Sequence, residues 1–154
     1  MVDADKFTAV DPTSIPIDIV PLEGTPLDFR KPTRIGDRIE ETGANPTGYD
    51  HNYVLNGAEG ELKLAARLEE PKSGRSMEVW TTEPGVQVYT GNYLGGAGAP
   101  PLIGKGGRPY EKHAAVCLET QHYPDSPNHP DWPTTLLRPG QTYKSTTVYR
   151  FSAK

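Results

Sequence analysis

The sequence predicts an all-β chain, an antiparallel β-sandwich with long connections, and three observations carry that expectation. Apolar residues recur with a period of two in several short runs. Clusters rich in proline and glycine separate those runs. No segment sustains a helical period, and no repeat of roughly 20 to 50 residues is present. The 154 residues include 16 glycines and 16 prolines, so turns and loops take a large share. The length is that of a single domain over residues 1–154. Its core is thin, since about 40% of the chain is apolar with glycine counted, against roughly 45–50% in soluble domains.

The elements follow in order. The first third is punctuated by proline, and the alternating Ile15, Ile17 and Ile19, then Leu27 and Phe29, suggest short or edge strands. TRIGDRIEET has room for one helical turn or two. In ELKLAARLEE, Leu62, Leu64, Ala66 and Leu68 alternate with Glu61, Lys63, Ala65 and Arg67, which predicts a half-buried strand with those four on one face. EPKSGR then turns the chain, and SMEVWTT alternates through Met77, Val79 and Thr81, completing a β-hairpin. In EPGVQVYT, Pro84 and Gly85 suit the central positions of a type II turn. Val86, Val88 and Thr90 then form one strand face, with Gln87 and Tyr89 on the other. The stretch from Gly95 to Tyr110 is the most loop-like part of the chain. In AAVCLETQ, Ala114, Val116 and Leu118 point inward, while Ala115, Cys117, Glu119 and Gln121 share the opposite face. YKSTTVYRF supplies a final strand.

Several function classes are disfavoured. The net charge is −4 and no run of lysines or arginines occurs, so neither nucleic acid nor an anionic membrane is an expected partner. The N-terminus has no basic segment followed by an apolar one, and nowhere do ~18 apolar residues follow one another. A cytoplasmic location is the resulting expectation. The one cysteine, Cys117, has no partner for an internal disulfide and reads as a small buried hydrophobe. The four histidines, His51, His113, His122 and His129, with Asp125 and Asp131 beside two of them, show no HxH or HxxxH spacing, and three prolines restrict the segment from His122 to Trp132. No metal site is expected there. The GKGG at residues 104–107 lacks the upstream glycine and the following Ser or Thr of a phosphate loop, and no G-x-S-x-G accompanies the histidines.

Two places hold candidate chemistry. Glu119 lies at the seam between a strand and a loop crowded with Pro, Asp, Asn and His. It reads either as a solvated strand-end charge, the usual fate of glutamate, or as a carboxylate held to move a proton. In GYDHNYVL, Asp50 and His51 stand at a strand mouth, where they can bond a polyol, hold a metal or cap the turn through an Asx motif.

Taken together, GYDHNYVL, TTEPGVQVYTGNYL, CLETQHYPDSPNHPDWP and LLRPGQTYKSTTVYRF resemble the aldose 1-epimerases, the galactose mutarotase family. GTPLDFRKPTRIG fits upstream, so the likeness runs in order from about Val10 to the C-terminus. The resemblance implies a galactose mutarotase-like supersandwich, incomplete in this chain, which matches the C-terminal half of the family pattern. It implies an isomerase that interconverts the α and β anomers of aldoses such as galactose and glucose, with an aldose sugar as partner and no cofactor. Residue by residue it makes Glu119 the general base and places Asp50 and Gln87 against sugar hydroxyls. The family's two site histidines, one of them the general acid, and its site arginine fall outside the matched half. A non-catalytic carbohydrate-binding protein of the same fold is the alternative. Tyr89, Tyr123 and Trp132 are candidates for stacking on a sugar or for packing. An incomplete sandwich also leaves strand edges open to self-association.

Overall fold

The computed structural model of the chain describes residues 1–95 and 102–153; part of the loop expected over Gly95–Tyr110 lies outside them. Ten strands are described: β1 (Ala4–Val10), β2 (Pro16–Pro21), β3 (Asp50–Leu55), β4 (Lys63–Glu70), β5 (Arg75–Thr81), β6 (Gly85–Tyr89), β7 (Leu102–Ile103), β8 (Pro109–Tyr110), β9 (Cys117–Gln121) and β10 (Thr147–Ala153). Five of them form a sheet in the order β2-β1-β3-β6-β9, three a sheet in the order β10-β5-β4, and β7 pairs with β8. Every pairing is antiparallel. The helical content among the described residues is 3-10 turns, two of them at Ile35–Asp37 and Ile39–Glu41 within TRIGDRIEET. No helix is long and apolar enough to cross a membrane among the described residues.

The two larger sheets bury their facing sides against each other. Tyr53, Val86 and Val88 from the five-stranded sheet and Ala66 and Val79 from the three-stranded one join a single core cluster. The segment between β2 and β3 completes it as loop: Leu22, Leu27, Phe29 and Ile39 are buried, and the Tyr53 hydroxyl donates to the Leu27 carbonyl at 2.8 Å. Leu27 and Phe29 are therefore core residues held by irregular backbone rather than by the strand their spacing suggested.

The closure is wedge-shaped. At one end Thr147 of β10 shares hydroxyl contacts with Thr120 of β9 at 2.6 Å and with Thr81 of β5 at 3.3 Å. Toward the other end the inward face of β10 emerges into solvent, with Tyr149 at 48% exposure and Phe151 at 76%. A cavity of about 1010 Å³ lies toward the β4–β5 turn, lined by Leu68 and Ser76 of one sheet and Val88, Val116 and Leu118 on the side of the other.

Several period-two readings change in three dimensions. The β4 ladder pairs Leu64 with Trp80 but Ala66 with Val79, so a bulge absorbs Ala65 and reverses the facing of the strand. Ala65 and Ala66 are both buried, Leu62 is exposed, and the expected common face of Leu62, Leu64, Ala66 and Leu68 is broken. The bulge also receives the chain's first residues: Val2 bridges Ala66, the Asp3 N–H donates to the Ala65 carbonyl, and the Arg67 N–H to that of Met1. Ile17 is exposed on β2, an edge strand, and Ile15, just before that strand, is exposed as well. Ala114–Val116 precede β9 rather than belonging to it. Gly85 starts β6 without a positive φ, so the type II turn expected at Pro84–Gly85 does not form. The hairpin of β4 and β5, the inward Val86 and Val88, and the final strand agree with the pattern.

Candidate functional site

Three neighbouring strands carry the residues singled out in the sequence. Asp50 opens β3, while Gln87 and Glu119 occupy the centres of β6 and β9. The ladders pair Gln87 with Glu119 on one side and with Asn52 on the other, and pair Asp50 with Tyr89. Directly opposed residues, and residues two apart along a strand, share a face. Asp50, Gln87 and Glu119 therefore rise together from the outer face of the five-stranded sheet, opposite Val86 and Val88. The short central strand GVQVY makes this possible by sending its valines inward and leaving its amide outward.

Gln87 is half-buried, and its Nε2 donates to Asp50 Oδ1 at 2.7 Å. Asp50 and Glu119 are exposed. The face thus offers two carboxylates flanking an amide that is already committed to one of them. Such a set can accept from and donate to several hydroxyls at once, and a free carboxylate can take a proton from one of them. Neither the inter-sheet cavity nor a second cleft of about 470 Å³ around Glu83 is lined by these three side chains. The site is an open sheet face.

The remaining candidates separate. His51 lies on the opposite face, edge-on to Phe7 at 6.1 Å, and its Nδ1 accepts from the Asp50 N–H at 3.0 Å. Burial pushes its imidazole below the ordinary value, with the Asp50 charge opposing. The Asp50–His51 pair is thus neither an Asx cap nor a joint ligand: the histidine supplies the local bond and the aspartate carboxylate turns to the outer face, where Gln87 bonds it. His113 Nε2 meets the Thr47 carbonyl at 2.9 Å, and His129 Nε2 meets that of Pro16 at 3.2 Å while its ring stacks on Trp132 at 3.7 Å. Tyr123 is buried, edge-on to Trp132 at 5.8 Å. Tyr123 and Trp132 are thus engaged in packing, and the loop from His122 to Pro133 is pinned over one end of the outer face. Tyr89 is half-buried, with its hydroxyl accepting from the Tyr93 N–H at 3.2 Å. Among the described residues, no three His, Cys, Asp or Glu side chains come together as metal ligands. Cys117 is a free thiol, half-buried on the outer face of β9.

Two features escaped the sequence reading. Glu83 is buried at 4% exposure, bonded to His122 Nδ1 at 2.7 Å and to the Tyr143 hydroxyl. Burial drives its carboxyl upward, but hydrogen bonds from Ser145 and Tyr143 and the nearby His122 outweigh this and hold it below the ordinary carboxylate value. Its partners are 39 and 60 residues away, beyond any periodic signal. The second is Asn52, 2% exposed beside Gln87; its only signal was its place in the Asp50-His51-Asn52 triplet.

Comparison with known proteins shows the family. The family model described as aldose 1-epimerase matches residues 1–150. The galactose mutarotase of Mus musculus is 47% identical over 150 residues, covering 97% of this chain and 42% of the relative. The aldose 1-epimerase of Escherichia coli K12 is 36% identical over 156 residues, covering 98% and 44%. An aldose epimerase homologue from C. elegans superposes with a TM-score of 0.81 at 28% identity, covering 99% of this chain and 44% of that one. The chain thus spans less than half the length of these relatives.

Proposed function

The chain belongs to the aldose 1-epimerase family, and from that premise we propose that its outer sheet face is the base-bearing part of a site that interconverts sugar anomers. The observation that carries the reading is the convergence of Asp50, Gln87 and Glu119 from three adjacent strands onto one open face. In this proposal the chain corresponds to the C-terminal part of the family sandwich, and its substrates are aldoses of the galactose and glucose type.

Ring opening removes the proton of the anomeric hydroxyl and adds one to the ring oxygen. The C1–C2 bond then rotates and the ring closes on the other face. Glu119 is placed to take the first proton. Asp50 accepts from a sugar hydroxyl with the Oδ2 that Gln87 leaves unbonded, and the Gln87 amide orients Asp50. The acid for the ring oxygen comes from outside this segment, because His51 faces the core and His113, His122 and His129 are engaged elsewhere. No metal or organic cofactor enters the proposal. A reducing, cytoplasmic setting completes it and suits the free Cys117.

That distribution of histidines also favours a second reading, a carbohydrate-binding chain of the same fold that lacks catalysis. Polarimetry of freshly dissolved α-galactose, paired with calorimetric titration of the sugar, separates the two. Acceleration above buffer supports the epimerase. Binding without acceleration supports the second reading, and the absence of both binding and acceleration would remove the sugar site altogether. Self-association belongs to the same proposal: β9 and β10 end their sheets next to the exposed Tyr149 and Phe151, and sedimentation velocity across a concentration series reads it out.

A further inference from the structure

Asn52 is 2% exposed, and both polar atoms of its side chain are buried with no hydrogen-bond partner among the described residues. The same holds for Oε1 of Gln87, its directly opposed neighbour on the same face. Native interiors rarely leave such groups unpaired, and three on two adjacent side chains call for one explanation. The unmet needs are those of one amide donor, Asn52 Nδ2, and two amide acceptors, Asn52 Oδ1 and Gln87 Oε1.

A direct bond from Asn52 Nδ2 to Gln87 Oε1 would still leave Asn52 Oδ1 alone. A cation would face the Nδ2 hydrogens, and an anion would face two carbonyl-type oxygens. A water molecule has two donors for the oxygens and a lone pair for the amide, closing all three, which matches the roughly three bonds a buried water makes. Cβ atoms of directly opposed residues stand ~4.5–5.5 Å apart, so both carboxamides can reach one molecule. All three atoms are shielded from solvent, and Asn52 Oδ1 and the Tyr123 ring both lie over Gly85, 2.6 Å and 3.0 Å from where a Cβ on that glycine would stand. A sugar hydroxyl does not enter there.

We propose that Asn52 and Gln87 share one buried water beneath Tyr123, and that Asn52 is thereby a positioning residue for Gln87. With Oε1 fixed by that water, the Gln87 amide presents Nε2 to Asp50; turned over, it would place an oxygen against the Asp50 carboxylate. The water site stands on the buried atoms alone. Its effect on sugar binding rests on the reading of the outer face given above.

The test is nuclear magnetic resonance of the isotope-labelled full chain, joined to calorimetry with galactose. The wild-type Asn52 side-chain amide protons should show a cross-peak to a long-lived water. Their absence, or a direct Asn52-to-Gln87 bond, overturns the proposal whether or not sugar binds. Asn52→Leu should lose the cross-peak, move the Gln87 side-chain amide resonance, and weaken galactose binding about tenfold, the loss expected for one hydrogen bond. A purely structural Asn52 would lower the melting temperature and leave the Gln87 resonance and the affinity in place, which also overturns the positioning role. Should Asn52→Leu fail to fold, Asn52→Ser, which keeps a donor and acceptor, should retain both the water and the Gln87 resonance. Absent galactose binding by wild type together with an intact water cross-peak would sink the sugar reading and leave the water site standing.

Discussion

Gln87 and Glu119 are opposed residues of one antiparallel ladder, and their side chains leave the sheet on the same face. A carboxylate therefore stands one strand spacing from an amide whose own donor is already given to Asp50. Glu119→Gln keeps the shape and removes the carboxylate proposed as the base. Any acceleration of mutarotation should fall by about 10²–10⁴, followed by polarimetry. Because Glu119 is exposed, its stability effect should stay within about 0.5 kcal/mol by thermal melting.

Asp50→Ala takes away the acceptor of the Gln87 amide. Galactose affinity should drop at least about tenfold in a calorimetric titration, since hydrogen bonds to charged groups exceed neutral ones. Asp50→Asn, which can still accept through its oxygen, should recover part of the loss.

Gly85→Ala should destabilise by ~1–3 kcal/mol, because its methyl would press on buried Asn52 and Tyr123. Gly36→Ala is the control, with nothing within 4 Å of the added carbon. Denaturant titration of the two variants should separate them clearly.

Acid should lower the stability of the chain over two pH ranges. The folded state holds His51 below its ordinary 6.5, so the unfolded chain protonates first and stability falls as pH drops from about 6.5 through the folded value. Glu83 is also held below its ordinary 4.5, so its contribution is full above that pH and is lost as pH falls further through the folded value. Melting temperature against pH reads both, and His51→Leu should flatten the upper range alone.

The parts of this fold legible in the sequence were those set by local alternation. The β4–β5 hairpin, the inward Val86 and Val88, and the facing of Gln87 and of Glu119 each within its own strand follow from a period of two. What stayed hidden depends on tertiary context. The Ala65 bulge is stabilised by Met1–Asp3 docking on β4, more than 60 residues earlier in the chain. Leu27 and Phe29 mimic a strand because core burial selects apolar side chains whatever the backbone does. β1 was overlooked because ADKFTAV interleaves its apolar residues with others too weakly to stand out. At the site, the alternation could group Glu119 with Gln121, but only the strand order β3-β6-β9 brings Asp50 and Gln87 beside Glu119.

The wedge between the sheets gives the molecule a clasp and a mouth. Thr81, Thr120 and Thr147 hold the clasp, and Leu68 and Ser76 line the mouth. Any breathing of the sandwich is then a swing about the threonines, with displacement growing toward the β4–β5 turn. Backbone amides along β5 should exchange with deuterium in a graded series, fastest near Ser76 and slowest near Thr81, and Asp50, Gln87 and Glu119 sit on the sheet whose far edge the swing would tilt.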